Sequence, residues 1–210
     1  MLAIGGDLSP QRLLIAYERG IFPWYSEDTP ILWWSPDPRL VLFPNELKVS
    51  KSLQRVIKKG IFRVTYDLAF REVMQCCATA PRSNQEAGTW IMPEMIDAYH
   101  RLHQLGHAHS IESWHEGELV GGLYGVALGR IFFGESMFAL KTDASKVAFV
   151  HLMRRLYRWG FELVDCQVTT AHLQRFGARE IARERFLTLL AHAVKEAPCR
   201  GLWPSSGDDD

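Results

Sequence analysis

The chain has 210 residues, enough for one well-buried core of the usual ~100–200 residues with a small lobe attached. Hydrophobic residues make up 47% and charged ones 23%, which excludes a disordered chain and fits a globular one. Lys and Arg number 24 and Asp and Glu also 24, which excludes a general nucleic-acid coat and leaves local basic patches as the route to any phosphate. No apolar run approaches the ~20 residues that cross a bilayer, and the first residues show no basic-then-apolar leader. The expectation is a cytoplasmic protein with no membrane partner. The four Cys (Cys76, Cys77, Cys166, Cys199) include no CxxC spacing, so reduced thiols are expected.

Ser9-Pro10 reads as an N-cap followed by proline at the first helical position, which predicts a helix over residues 11–19 stopped by Gly20. Pro23, Pro30, Pro36 and Pro38 then break up an aromatic stretch containing Phe22, Trp24, Tyr25, Trp33 and Trp34, so loop or short strand follows. A boundary is placed at 37–40. The expected division is a small N-terminal lobe over 1–38, a catalytic domain over 39–203 and a disordered acidic tail over 204–210.

Residues 50–58 read as a basic helix, 62–66 as a strand, and Asp67 as the N-cap of a helix through Ala78. Pro93 opens a further helix, ended by Gly106. The period then changes to two. Strands are predicted over 108–114, 119–128 and 131–138, joined by Glu116-Gly117 and Gly129-Arg130, which supply the turn chemistry of antiparallel hairpins. Asp143 caps a helix whose apolar positions Phe149, Leu152, Met153, Leu156 and Tyr157 follow the i, i+3, i+4, i+7 spacing, and Gly160 ends it. A strand over 161–167 and a helix over 183–195 complete the chain. The fold class is therefore α/β (α+β), and the order βββ-α-β is the kernel of an acyltransferase-like fold of the N-acetyltransferase type.

Candidate chemistry gathers at the ends of two strands. In an extended strand residues i and i+2 share a face, so Asp165 and Gln167 are expected to point together and Cys166 away. A carboxylate beside an amide can accept a proton or hold an amine, whereas a thiol on the other face acts as a small apolar group. The bland alternative is a solvated strand end. Glu135 sits in Phe132-Phe-Gly-Glu-Ser-Met-Phe138, where a charge must be paired or functional unless it lies on the solvent side of an edge strand. Gly134 suggests a bulge or a close backbone approach by a ligand there. His100, His103, His107 and His109 read as surface and capping residues, because no HExxH spacing and no nearby Cys or carboxylate completes a metal shell. Lys48, Lys51, Arg55, Lys58, Lys59 and Arg63 run without an intervening acid, and Arg154, Arg155 and Arg158 form a second basic group. These are phosphate-binding surfaces or solvated faces.

Several ordered segments carry a specific likeness. Gly5-Gly-Asp-Leu8, Tyr17-Glu-Arg-Gly-Ile-Phe-Pro-Trp24, Ile31-Leu-Trp-Trp-Ser-Pro-Asp-Pro-Arg39, Thr89-Trp-Ile91, Ala108-His-Ser-Ile-Glu112, Leu119-Val-Gly-Gly-Leu-Tyr-Gly125, Phe133-Gly-Glu-Ser-Met-Phe138, Asp143-Ala-Ser-Lys146 and Asp165-Cys-Gln167 resemble the leucyl/phenylalanyl-tRNA–protein transferase family, over about residues 3–190. The resemblance implies an enzyme that moves Leu or Phe, and also Met, from charged tRNA to the N-terminal Arg or Lys of a protein. It implies entry of that protein into the N-degron pathway, and no cofactor, metal or ATP. Asp165 and Gln167 fall on the family's proposed relay for the attacking amine and Glu135 on a carboxylate of the same site. Leu123, Phe132, Met137, Phe149, Leu152 and Val164 match its aminoacyl pocket, Trp24 and Trp90 its walls around the terminal adenosine, and Lys48, Lys51, Arg55, Lys58, Lys59 and Arg63 its tRNA-backbone patch. Phe132 and Met137 have opposite strand parity, so both reach one pocket only across a bulge.

The chain departs from the family pattern in three places. Four residues precede Gly5 where the family usually carries a longer segment, so a clipped start or a trimmed lobe is expected. Ala182 stands where Pro is usual, and Arg175-Phe176 replace a smaller pair. Two other readings remain: a thiol acyltransferase or hydrolase using Cys166 with His109 or His172, and a tRNA- or peptide-binding module without turnover. The parity argument separates the two enzyme readings: Asp165→Ala should slow transfer with the fold largely intact, while Cys166→Ala should do much less.

Overall fold

A computed structural model describes residues 1–80, 90–195, 201 and 203–204. Thr89, Cys199 and the predicted tail beyond Pro204 lie outside them. In chain order the elements are β1 (Ala3–Ile4), α1 (Pro10–Glu18), β2 (Phe22–Pro23), β3 (Leu32–Trp34), β4 (Arg39–Leu42), a 3₁₀ turn (Pro44–Glu46), α2 (Lys51–Lys58), β5 (Arg63–Tyr66) and α3 (Phe70–Thr79). There follow α4 (Pro93–Gln104), β6 (Ala108–His115), β7 (Glu118–Leu128), β8 (Ile131–Ala139), α5 (Ala144–Arg158), β9 (Leu163–Gln167), α6 (Ala171–Gln174), β10 (Arg179–Ile181) and α7 (Arg183–Ala193).

The predicted stops act through backbone geometry. Gly20, Gly106 and Gly160 follow α1, α4 and α5 at positive φ, the left-handed conformation that a side chain resists. Helix α2 is capped by Ser50, whose Oγ accepts the Leu53 amide at 3.2 Å. Asp67 is a correction. The helix it was expected to cap begins at Phe70, and Asp67 instead accepts His109 Nδ1 at 2.8 Å and the amides of Ser110 at 2.9 Å and Trp203 at 2.7 Å. It ties β6 to the end of the chain. His103 and His109 are likewise buried rather than surface residues, His103 stacked on Phe70 and His109 under Trp203. Helix α6 and strand β10 had no sequence signal, since elements of four and three residues are too short to show a period.

Strands β1, β3 and β2 form a small antiparallel sheet, and a larger sheet runs β10-β4-β9-β8-β7-β6-β5. Within the larger sheet only β8 and β9 pair in parallel, because α5 carries the chain back across one face between them. Three antiparallel strands, a crossover helix and a parallel strand are the acyltransferase-like order predicted, with the small β1–β3 region ahead of it. Helices cover both faces. Leu13 of α1, Val73 of α3, Tyr99 of α4 and Phe186 of α7 pack with Phe133, while Leu53 of α2 and Phe149 and Leu152 of α5 pack with Phe132 and Val164.

One irregularity shapes the functional face. Tyr124 of β7 opposes Ser136 but Gly125 opposes Gly134, so Glu135 is an extra residue with no partner across the ladder. The bulge reverses parity along β8. Gly125 is needed opposite it: a Cβ there would lie 2.2 Å from the Phe133 carbonyl and 2.5 Å from the Phe132 ring.

Candidate active site

Parallel pairing of β8 with β9 ends at Phe133–Asp165. Past that point the bulge turns β8 and the positive φ of Gln167 (61°) turns β9, and a cleft opens between the two strand ends. One part of it is a largely apolar cavity of about 270 Å³. All six expected pocket residues line it: Leu123, Phe132, Met137, Phe149, Leu152 and Val164. Phe132 and Met137 share it because Glu135 is the added residue between them. A cavity of this size has room for one amino-acid side chain.

A second cavity of about 320 Å³ adjoins the first and shares Glu135, Ser136, Gln167, Val168 and Thr170 with it. Its outer walls are Phe22, Pro23, Trp24 and Trp90. Trp24 is 42% exposed, so its face is open for stacking by a flat ligand. The two cavities form one path with Glu135 and Gln167 at the junction.

Glu135 is 9% exposed, and its Oε1 accepts Gln167 Nε2 at 2.7 Å. Tyr99 donates to Oε2 at 3.4 Å, and the Tyr99 and Tyr17 hydroxyls bond to each other. Burial pushes the Glu135 carboxyl up to about 7, with repulsion from Asp165 adding to the rise, while hydrogen bonds from Tyr17, Gln167 and Tyr99 hold it down. Every direct partner is neutral, so the group sits near its midpoint at physiological pH.

Asp165 is elsewhere. Its side chain is fully buried and forms a two-pronged pair with Arg39, Nε to Oδ1 at 2.8 Å and Nη2 to Oδ2 at 2.6 Å. The Arg39 guanidinium lies between the rings of Phe22 and Phe186, 4.9 and 4.6 Å from their centroids. Asp165 lines neither cavity. It touches the site through the Gln167 amide, which its Oδ1 accepts at 2.9 Å. The expected parity therefore fails at the strand end. Val164 and Cys166 face the apolar cavity, Asp165 faces the opposite core, and Gln167 reaches Glu135 because its backbone leaves the extended conformation.

Cys166 is thus a wall of the cavity, not turned from it. Burial pushes its thiol far up, and the neighbouring Asp165 charge adds to that, so the nucleophilic thiolate is suppressed. Among the described residues no hydrogen bond joins it to His109 or His172. His109 is committed to Asp67, and the Cys166 contact is a weak one to the Val164 carbonyl at 3.9 Å.

The basic side chains divide. Lys48, Lys51, Arg55, Lys58, Lys59 and Arg63 are all exposed on and around α2. Of the second group, Arg154 and Arg158 are exposed, but Arg155 is 2% exposed, packs 3.2 Å over the Tyr66 ring and donates to the Pro204 carbonyl at 3.1 Å. Tyr17, Tyr99 and Arg39 were missed as site residues. Each sits at an otherwise apolar position of its element, and a polar group at such a position needs a partner.

Residues 41–191 match the family description "Leucyl/phenylalanyl-tRNA protein transferase", and residues 6–37 match the N-terminal domain of the same family. A protein of Syntrophobacter fumaroxidans named leucyl/phenylalanyl-tRNA–protein transferase is 68% identical over 203 residues, covering 97% of this chain and 86% of its own length. One of Anaeromyxobacter sp. with the same name is 61% identical over 209 residues, covering 100% and 88%. Among solved structures, L-PGS from Bacillus licheniformis aligns with TM-score 0.42 at 10% identity, covering 78% of this chain and 52% of that one. A GCN5-related N-acetyltransferase from Kribbella flavida aligns with TM-score 0.39 at 12% identity, covering 82% and 61%. The chain belongs to the leucyl/phenylalanyl-tRNA–protein transferase family and is a transferase.

Proposed function

We propose that this member of the family transfers Leu, Phe or Met from charged tRNA to the N-terminal Arg or Lys of an acceptor protein. In this reading the product enters the N-degron pathway, the reaction takes place in the cytoplasm, and residues 1–38 are a small lobe that supplies Trp24 to a catalytic domain over 39–203. The observation that carries the proposal is the single path from the apolar cavity, past Glu135 and Gln167, to Trp24 and Trp90. An aminoacyl-adenosine end has that sequence of parts: an apolar side chain, a reactive ester and a flat base.

The ester is already activated, so positioning is the main task and neither ATP nor a metal step is required. The uncharged α-amine of the acceptor attacks the ester carbonyl carbon. A C–N bond forms, the bond from carbon to the ribose oxygen breaks, and the departing oxygen takes a proton to become hydroxyl. The Glu135 carboxylate is placed to receive the amine proton. With Gln167 Nε2 committed to Glu135, the Gln167 carbonyl oxygen is left to accept from the amine. Asp165 is a positioning residue, fixing the Gln167 backbone from the dry side.

The test is transfer of radiolabelled Leu from tRNA to a peptide beginning with Arg and to one beginning with Ala, without ATP or added metal. Label on the Arg peptide alone is expected; label on neither, with tRNA tightly bound, would leave a binding module. The cavity also sets side-chain choice, since β-branched residues are stiff and wide beside the backbone. Leu, Phe and Met should be preferred over Ile and Val by ~10–200-fold, and equal transfer from Ile-tRNA and Leu-tRNA would sink the pocket assignment.

A further inference from the structure

His172 lines the apolar cavity and also a third cavity beside it, of about 290 Å³, whose other polar walls are Lys48, Ser50, Ser52, Lys146 and Arg175. Three segments build this niche: the entry to α2, one turn of α5, and α6 with its C-cap. They are held together by the Lys48 amide donating to the Phe176 carbonyl at 2.8 Å and by Phe176 packing on Phe149, itself a wall of the apolar cavity. Arg175 and Phe176 thus both line the niche, and Phe176 also braces the pocket through Phe149.

The niche is a concave cationic site. Among the described residues no carboxylate lines it, and the nearest acid to its cations is Asp143, whose Oδ1 is 2.7 Å from Lys146 Nζ. The N-terminal turn of α2 contributes Ser50, Ser52 and Leu53 to the lining, and a helix start, with its unpartnered first amides and positive dipole end, favours an anion nearby. Ser50 Oγ, already accepting from Leu53, lies 3.0 Å from Ser52 Oγ, so one of the two hydroxyl protons joins the pair and the other is left to offer. The buried Nε2 of His172 has no hydrogen-bond partner among the described residues. Burial, then the Lys146 and Arg175 charges, lower the His172 pKa, as expected of a ring facing cations with no anion between them.

We propose that this niche holds one phosphodiester of the RNA strand that carries the aminoacyl ester, between the outer basic face of α2 and the apolar cavity. The inference rests on the transfer reading and adds a contact that shares Lys48 with the exposed α2 patch and extends beyond it to Lys146, His172 and Arg175. A phosphodiester matches the lining because its two non-bridging oxygens, which share one negative charge, can meet a guanidinium, an ammonium and a helix start together.

The experiment uses Arg175→Glu, an exposed position where substitution spares the core, and compares two donors: Leu-tRNA and leucyl-adenosine, which carries no phosphate. A several-fold loss of kcat/KM with Leu-tRNA is expected, mainly in KM, with the log–log salt slope of tRNA binding flattened by about 0.7–0.9. The same variant should handle leucyl-adenosine like the wild type. Equal losses with both donors would mean that the substitution disturbs the pocket through Phe176, and unchanged kinetics with both would mean that no phosphate is bound; either overturns the proposal. Lys51→Glu on the outer face is the control. A slope change there and none for Arg175→Glu rejects the niche while sparing the transfer reading, whereas a wild type inactive with both donors rejects that reading and this inference together.

Discussion

Strand β9 separates two regions that solve the same problem, a buried carboxylate, in opposite ways. On one side Asp165 is fully enclosed and gripped at both oxygens by Arg39, which is itself sandwiched between two rings. On the other, Glu135 is nearly as buried but meets only the neutral donors of Gln167, Tyr99 and Tyr17. The first arrangement holds a charge and leaves it no chemistry. The second withholds a cation, so burial lifts the carboxyl to about 7, where it can take a proton and give it back. Stability and reactivity are thereby placed on opposite faces of one strand.

Glu135→Gln should break the reactive side. A lost acid-base group typically costs ~10²–10⁴-fold, so single-turnover transfer at saturating tRNA should fall by that order, and the limb of the wild-type pH–rate profile near 7 should vanish. Stability should move the other way. A carboxyl raised from 4.5 to about 7 contributes stability that is present below about pH 4.5 and is lost as the pH rises through 7. The Gln variant should therefore gain up to ~3 kcal/mol over wild type at pH 8 and little at pH 4.5, read by urea unfolding at both values. Undiminished transfer by this variant would remove the contrast.

Asp165→Ala attacks the matched side and should unfold the protein sooner, by ~3–5 kcal/mol, because it strands the Arg39 charge in a dry core. This revises the expectation of an intact fold that strand parity suggested. Adding Arg39→Met should restore much of the loss in the double variant, since the penalty lies in the unpaired charge. If Asp165→Ala keeps wild-type stability but not turnover, Asp165 acts in the chemistry and not through position.

The smallest effect is expected at Cys166→Ala, about 1 kcal/mol of stability and near-normal turnover. Because Cys166 lines the cavity, the variant should also narrow the preference for Leu over smaller side chains slightly, seen in competition between charged tRNAs. A folded but inactive Cys166→Ala would revive the thiol mechanism.

Much of this was legible in the chain itself. Alternation and turn residues placed β6, β7 and β8, and Gly134 beside Glu135 pointed to the bulge that joins Phe132 and Met137 in one pocket. Helix stops at Gly20, Gly106 and Gly160 were readable because the conformational demand is local. Local chemistry is what a sequence by itself determines: periods, caps, turns, and which residues carry charge into apolar surroundings. Which groups meet was settled by the tertiary structure alone. Arg39 and Asp165 are 126 residues apart and Tyr17 and Tyr99 are 82 apart, so no spacing rule connects them. The parity of β9 misled for a related reason. Alternation assumes an extended backbone, and the left-handed turn at Gln167 is stabilised by Asp165 and Glu135, groups whose own positions depend on strands and helices from the whole chain.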